Sequence, residues 1–195
     1  MKTLFTSILI CLAMAVFAQE KKNVIMIDSV TSYNAILFEK ETYTIAWSHA
    51  DKNYYKQEYL RAKDTFEKFN KMITVDVLVS DLTPKDLVAK KIKEIDDRKV
   101  KDPVANYQVI ENEQTGEYLL DFLMNEGDLY EWNAYRYKTI NTNKGKAVLL
   151  FAYSFRSFEG AELNLDNFFP YLKKNRTKLI ERVASYTLPT ITLKD

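Results

Sequence analysis

Apolar residues recur along this chain with two different periods, and the change of period marks its elements. Ala35 to Phe38 and Tyr43 to Trp47 are short apolar runs rich in Ile and aromatics. They predict two strands joined as a hairpin across Glu39-Lys40-Glu41. Val24 to Ile27 predicts a short edge strand before them. Tyr54 to Leu60 suits either a strand or a helix, and Phe66 to Lys71 predicts one or two helical turns. Ile73 to Val79 alternates and is rich in β-branched residues, so it predicts a strand. From Leu82 to Arg98 the period changes to that of a helix, with Val88, Ile92 and Ile95 on one face. Thr83 can cap this helix, Pro84 suits its first position and Asp86 completes a capping box. Lys90, Lys91, Lys93 and Glu94 fall on its wet side, as a solvated helix face requires.

An antiparallel meander follows. Its strands are predicted over Val104–Ile110, Glu117–Met124, Leu129–Ile140 and Lys146–Phe158, with turn-rich segments between them. All four glycines, Gly116, Gly127, Gly145 and Gly160, fall in loops. A last helix is predicted from about Asp166 to Ser185, capped by Asp166 or Asn167, with Pro170 in its first turn. Leu172, Leu179, Ile180 and Val183 form its apolar stripe. The tail Leu188–Leu193 could add an edge strand, since Pro189 confines it to an edge. No internal repeat is present. The fold class expected is therefore α+β: one antiparallel meander sheet packed with two main helices.

The first eighteen residues stand apart from that pattern. Lys2 precedes an almost wholly apolar run, Leu4 to Val16, and Val16-Phe17-Ala18 places small or medium residues at a cleavage position. This predicts a signal peptide over 1–18, cut after Ala18, and a single domain over 19–195. Cys11 follows Ile10 where lipid attachment would need a small residue, so no lipid is expected there. It is the only cysteine, so the mature chain has none, and its size allows a core without disulfides. Of 28 basic and 27 acidic side chains the signal removes only Lys2, which leaves a net charge of zero. That argues against a nucleic-acid partner or docking on anionic lipid. No second apolar run is long enough to span a bilayer. The expected location is periplasmic or extracellular.

Few catalytic patterns survive inspection. No two glycines lie close enough for a phosphate loop, no G-x-S-x-G elbow is present, and a single histidine excludes two-histidine zinc motifs. His49, in Trp47-Ser48-His49-Ala50-Asp51, could be a general base, but adjacent strand residues face opposite ways, which handicaps Ser48 as its partner. Glu159, Glu162, Asn164 and Asp166 are oxygen-rich but lack the spaced aspartates and central glycine of a calcium loop, and helix capping accounts for them. Asn175-Arg176-Thr177 fits a glycosylation sequon by coincidence, inside a predicted helix. No cofactor and no metal is expected.

The sharpest constellation lies in the meander. If Met124 pairs with Leu129 and Ile140 with Lys146, one sheet face carries Asp121, Tyr130, Trp132, Arg136 and Arg156 among apolar residues. The opposite face is almost continuously aromatic. A slip of one residue would exchange the faces. In that register Asp121 and Arg156 form an ion pair shielded by Trp132. The cluster is then either structural or the polar wall of a pocket for a small-molecule ligand.

The element order, with N-terminal strands, a helix, a long meander, a C-terminal helix and a short final strand, resembles the PsbP/Mog1/DcrB-type α/β/α sandwich. Cystatin-like and NTF2-like folds are the alternatives. The resemblance carries no motif and implies no site residues. Two functions remain: an exported, non-enzymatic accessory or binding protein for an unknown protein or small-molecule ligand, or a carboxylate-dependent hydrolase of the cell envelope. They separate on the lining of the cavities. An enzyme should gather perturbed carboxylates in its largest concavity, whereas a binding module should show an apolar cleft.

Overall fold

A computed structural model describes residues 35–193, apart from 159, 161 and 189. The signal segment, Cys11, Val24–Ile27, Glu159 and Pro189 lie outside the described residues. The elements are β1 (Ala35–Phe38), β2 (Glu41–Asp51), β3 (Tyr54–Arg61), β4 (Lys71–Val79), α1 (Pro84–Arg98), β5 (Asn106–Asn112), β6 (Glu117–Glu126), β7 (Leu129–Thr142), β8 (Gly145–Arg156) and α2 (Leu165–Ser185). The strands form one eight-stranded sheet in the order β1-β2-β3-β4-β8-β7-β6-β5. Every neighbouring pair is antiparallel. Two four-stranded meanders, linked by α1, thus meet along β4 and β8. The fold is α+β, as the pattern of the sequence implies.

Local chemistry explains the boundaries. The β1–β2 turn is two residues long, with Phe38 opposite Glu41. Its central residues Glu39 and Lys40 both take positive φ, 48° and 65°, which a twisted two-residue hairpin requires. Glu39 is also gripped from α2, by Lys178 at 2.9 Å and Arg182 at 3.0 Å. Tyr54–Arg61 is a strand, with Tyr55, Gln57, Tyr59 and Arg61 buried on one face. The helical turn expected at Phe66–Lys71 does not form. Thr65 and Lys68 exchange backbone hydrogen bonds at 3.2 Å, and Asp64 takes the Arg61 guanidinium, so the segment closes as a loop before β4 begins.

Helix α1 starts with the capping box of Thr83 and Asp86 and with Pro84 in the first turn. Val88 and Ile95 are buried on its inner side, against Leu120, Phe122, Tyr137 and Val148. Ile92 is only partly buried there. Ile95→Ala should therefore cost about 2–5 kcal/mol in urea unfolding, and Ile92→Ala about 1 kcal/mol. Equal losses would show that the two positions are equally buried in solution.

Helix α2 is capped by Asn164, not by Asp166 or Asn167. Asn167 instead completes a capping box from the third helical position. Pro170 lies inside the helix, beyond its first turn. Phe168, Leu172, Leu179 and Val183 are the buried residues of α2, and they join the core that contains Trp132, Phe151 and Phe155. After α2, Leu193 is buried. Its backbone is held in both directions by the Asn143 side chain, at 2.7 and 3.0 Å. Ile191 makes a single bridge rather than an edge strand.

The meander register differs from the expected one in an instructive way. Met124 pairs with Glu131, a shift of two from Leu129, which leaves the faces of β6 and β7 unchanged. Ile140 pairs with Ala147, a shift of one from Lys146, which turns β8 over. Strand β7 runs on to Thr142, opposite Gly145, and only Asn143 and Lys144 lie between them. Gly145 takes φ 112°, a conformation that closes so short a turn. The β8 sequence is apolar on both faces, so its pattern sets no register and the turn decides. Both faces of this half are core: α2 covers the face of Trp132, Phe151, Tyr153 and Phe155, and α1 the other.

Candidate functional site

Four of the five residues singled out by the sequence serve α2. Asp121 is 1% exposed. It accepts the Trp132 indole N–H at 2.9 Å and both arms of Arg176 from α2, at 2.8 and 2.7 Å. Arg136 pairs with Glu117 at 2.7 Å and donates to the Tyr186 carbonyl at 2.8 Å, just past the end of α2. Tyr130 packs its ring against Phe168 and Phe169. Arg156 does not join them, because the turned β8 carries it to the other face. There its guanidinium lies 3.4 Å from the centre of the Phe69 ring and donates to the Phe69 and Phe66 carbonyls. The partner of Asp121 is thus Arg176, and the expected Asp121–Arg156 pair is replaced by a helix-to-sheet clasp.

The remaining sequence candidates resolve simply. His49 is exposed and stacks on Trp47, with ring centres 5.8 Å apart and planes 5° from parallel. Ser48 faces away from it, and its hydroxyl is buried without a partner. Glu162 pairs with Lys63 at 2.6 Å. No group of acidic, histidine or cysteine side chains among the described residues could hold a metal ion.

A concavity of about 570 Å³ lies between the β1–β2 turn and the end of α2. Its carboxylate, Glu39, is already neutralised by Lys178 and Arg182. The carboxyls that burial raises lie elsewhere, on the sheet face that α1 covers only in part. Along this face Tyr137, Leu150, Asp76, Lys56 and His49 form one row across β7, β8, β4, β3 and β2. Asp76 and Tyr137 line a cavity of about 360 Å³ beside α1, within the size range of small-molecule sites. Leu78, Leu87, Val148 and Leu150 wall it, and Lys90, Lys91 and Glu94 stand on its α1 side.

Asp76 is the chemical centre of this cavity. Its Oδ2 accepts the Tyr54 hydroxyl at 2.9 Å, while its Oδ1 is shut off from solvent without any partner. Burial pushes its carboxyl up to about 6, against the opposing pull of Lys56 and the Tyr54 hydroxyl, with Glu58 adding to the rise. Burial, together with the charge of Asp76, pushes the Tyr54 phenol up in turn. Glu58 neighbours Asp76 diagonally across β3 and β4 and is paired with Lys56 at 2.8 Å. A second carboxyl raised by burial, Glu131, lies near Arg98 and Arg156 in a separate hollow. Asp76 stands opposite Leu150 and Glu131 opposite Arg156, six positions along β8. That is about 20 Å at strand spacing, too far for both to act on one bond.

The sequence held one signal for this site. Asp76 is the only charge in the β-branched run Ile73–Val79, with Thr74 and Leu78 on its face. The partners come from β3, α1 and β7, which no local spacing connects. No helix among the described residues is long and apolar enough to cross a membrane. A family model matches residues 31–188. No curated protein matches the chain.

Proposed function

The chain belongs to the family that its residues 31–188 match, and we propose that it acts as an exported, non-enzymatic binding protein. Its ligand site is the cavity beside α1. One observation carries this reading: the Asp76 carboxyl, one of whose oxygens is buried without a hydrogen-bond partner, lines an open hollow of about 360 Å³ with apolar walls. A buried polar atom without a partner is costly, and a ligand donor relieves that cost. The layering of helix, sheet and helix is also what a PsbP/Mog1/DcrB-type sandwich would have, and that kinship is part of the proposal.

Equilibrium dialysis against a concentrated small-molecule extract of the culture medium, followed by native mass spectrometry, tests the reading. The wild-type protein should retain an adduct, and Leu150→Trp, whose indole fills the cavity, should lose it. A wild type without adduct, or an adduct indifferent to Leu150→Trp, would overturn the site. Intact mass of envelope-purified protein should show a chain that starts at Gln19 without lipid.

A hydrolase reading has one observation in its favour, the neighbouring carboxyls of Asp76 and Glu58 with different environments. Turnover of p-nitrophenyl acetate or p-nitrophenyl glycosides that both Asp76→Asn and Glu58→Gln abolish would establish it in place of simple binding.

A further inference from the structure

We propose that the occupant of the α1 cavity is a small zwitterion, with an ammonium group on Asp76 beside Tyr54 and Tyr137 and an anionic group at Lys90. This rests on the cavity being a ligand site and adds the chemistry of the ligand. The inner end of the hollow is acidic and aromatic. Asp76 has one oxygen bonded to Tyr54 and the other unfilled, and an ammonium supplies the charge-assisted donors that such a carboxylate lacks. A carboxyl turns easily about its last torsion, so either oxygen can meet an incoming donor. The Tyr54 and Tyr137 rings line the same space and favour a cation over their faces.

The α1 side has the opposite sign. Lys91 is held by Glu94 at 2.5 Å, and Lys90 is left there as the cation without an ion-pair partner among the described residues. The other charges around Asp76 cancel locally, because Lys56 and Glu58 pair with each other. A simple amine would meet the lysines, and a simple acid would meet Asp76. A molecule with both charges suits both ends, and the walls of Leu78, Leu87, Val148 and Leu150 suit a methylene spacer.

The experiment titrates the protein at pH 7 with β-alanine, 4-aminobutyrate and 6-aminohexanoate, followed by amide chemical shifts. Hexylamine and hexanoate serve as single-ended controls. At least one of the ω-amino acids should give saturable shifts around Asp76, with both controls about tenfold weaker or worse. Asp76→Asn copies the protonated acid and so keeps the fold, and it should weaken binding about tenfold or more. Because burial places the Asp76 carboxyl at about 6, lowering the pH from 7 to 5 should weaken binding about tenfold. The groups that face Asp76 are Tyr54, Lys56 and Glu58 on β3, Tyr135 and Tyr137 on β7, and Lys90, Lys91 and Glu94 on α1, with His49 at the far end of the row. The pH effect should persist in His49→Gln.

Lys90→Ala should weaken the ω-amino acids and leave hexylamine unaffected or stronger, while Lys91, already held by Glu94, should matter less. No saturation by any ω-amino acid would overturn the proposal, as would equal binding of a control or indifference to Asp76→Asn. An extract adduct that Leu150→Trp removes, without ω-amino acid binding, would keep the ligand site and reject the zwitterion. Loss of both would reject both.

Discussion

Arg176→Ala should lower the stability of the fold by about 3 kcal/mol, although the substituted side chain is itself more than a third exposed. The reason lies in what it leaves behind. Asp121 is buried, and Arg176 supplies two of its three side-chain hydrogen bonds, in bidentate geometry. Removing one partner of a buried pair strands a charge, at about 3–5 kcal/mol, and the exposure of Arg176 brings the figure to the lower end. For a chain of this size that is about 6–12 °C in Tm. Asp121→Ala should also destabilise, since it frees the Trp132 indole N–H in the core. The double variant should lose less than the sum of the singles, because the second change removes a group already without its partner. Arg156→Ala gives the contrast. It sits on the other face and should combine additively with Asp121→Ala. Additive losses for Asp121 with Arg176, or coupling of Asp121 with Arg156, would contradict the register and the clasp together.

The same comparison shows where sequence reasoning reaches and where it stops. The α1 capping box is a local pattern of hydrogen bonds, and Thr83, Pro84 and Asp86 display it fully. The alternation of Ile73–Val79 is likewise local. The β7–β8 register is not, because β8 is apolar on both faces and either register hides a hydrophobic side. A slip of one residue separates Arg156 from Asp121 and conceals the role of Arg176, which the sequence shows only within the chance sequon Asn175-Arg176-Thr177. The failed helix at Phe66–Lys71 has a similar cause. Its backbone is claimed by Thr65 and Asp64, whose contacts depend on Arg61 and Asn70. Asp76 is the lone charge of the run Ile73–Val79, but its meaning depends on burial, and burial depends on which strands and which helix stand beside it. The signals for the clasp and for the cavity are both tertiary.

Phe168→Ala should cost about 3–5 kcal/mol, the largest loss expected from a single truncation in α2. Phe168 is fully buried, with Phe155 at 5.2 Å, Phe169 at 5.3 Å and Tyr130 at 6.0 Å between ring centres. Its position magnifies the effect. Two residues later Pro170 lacks the N–H that would bond the Asp166 carbonyl, so the first turns of α2 hold together less well by themselves. The ring of Phe168 anchors this weakened end to the sheet, and the Asp121–Arg176 clasp lies farther along the helix. Phe169→Ala, at an exposed neighbour, should cost no more than about 1 kcal/mol. Urea unfolding should show a lower midpoint for Phe168→Ala, and amide exchange should speed up across residues 165–172 before the rest of the helix. Equal losses at the two phenylalanines would mean that α2 is anchored elsewhere. Faster exchange confined to the far end of the helix would place the anchor at Leu179 and Val183.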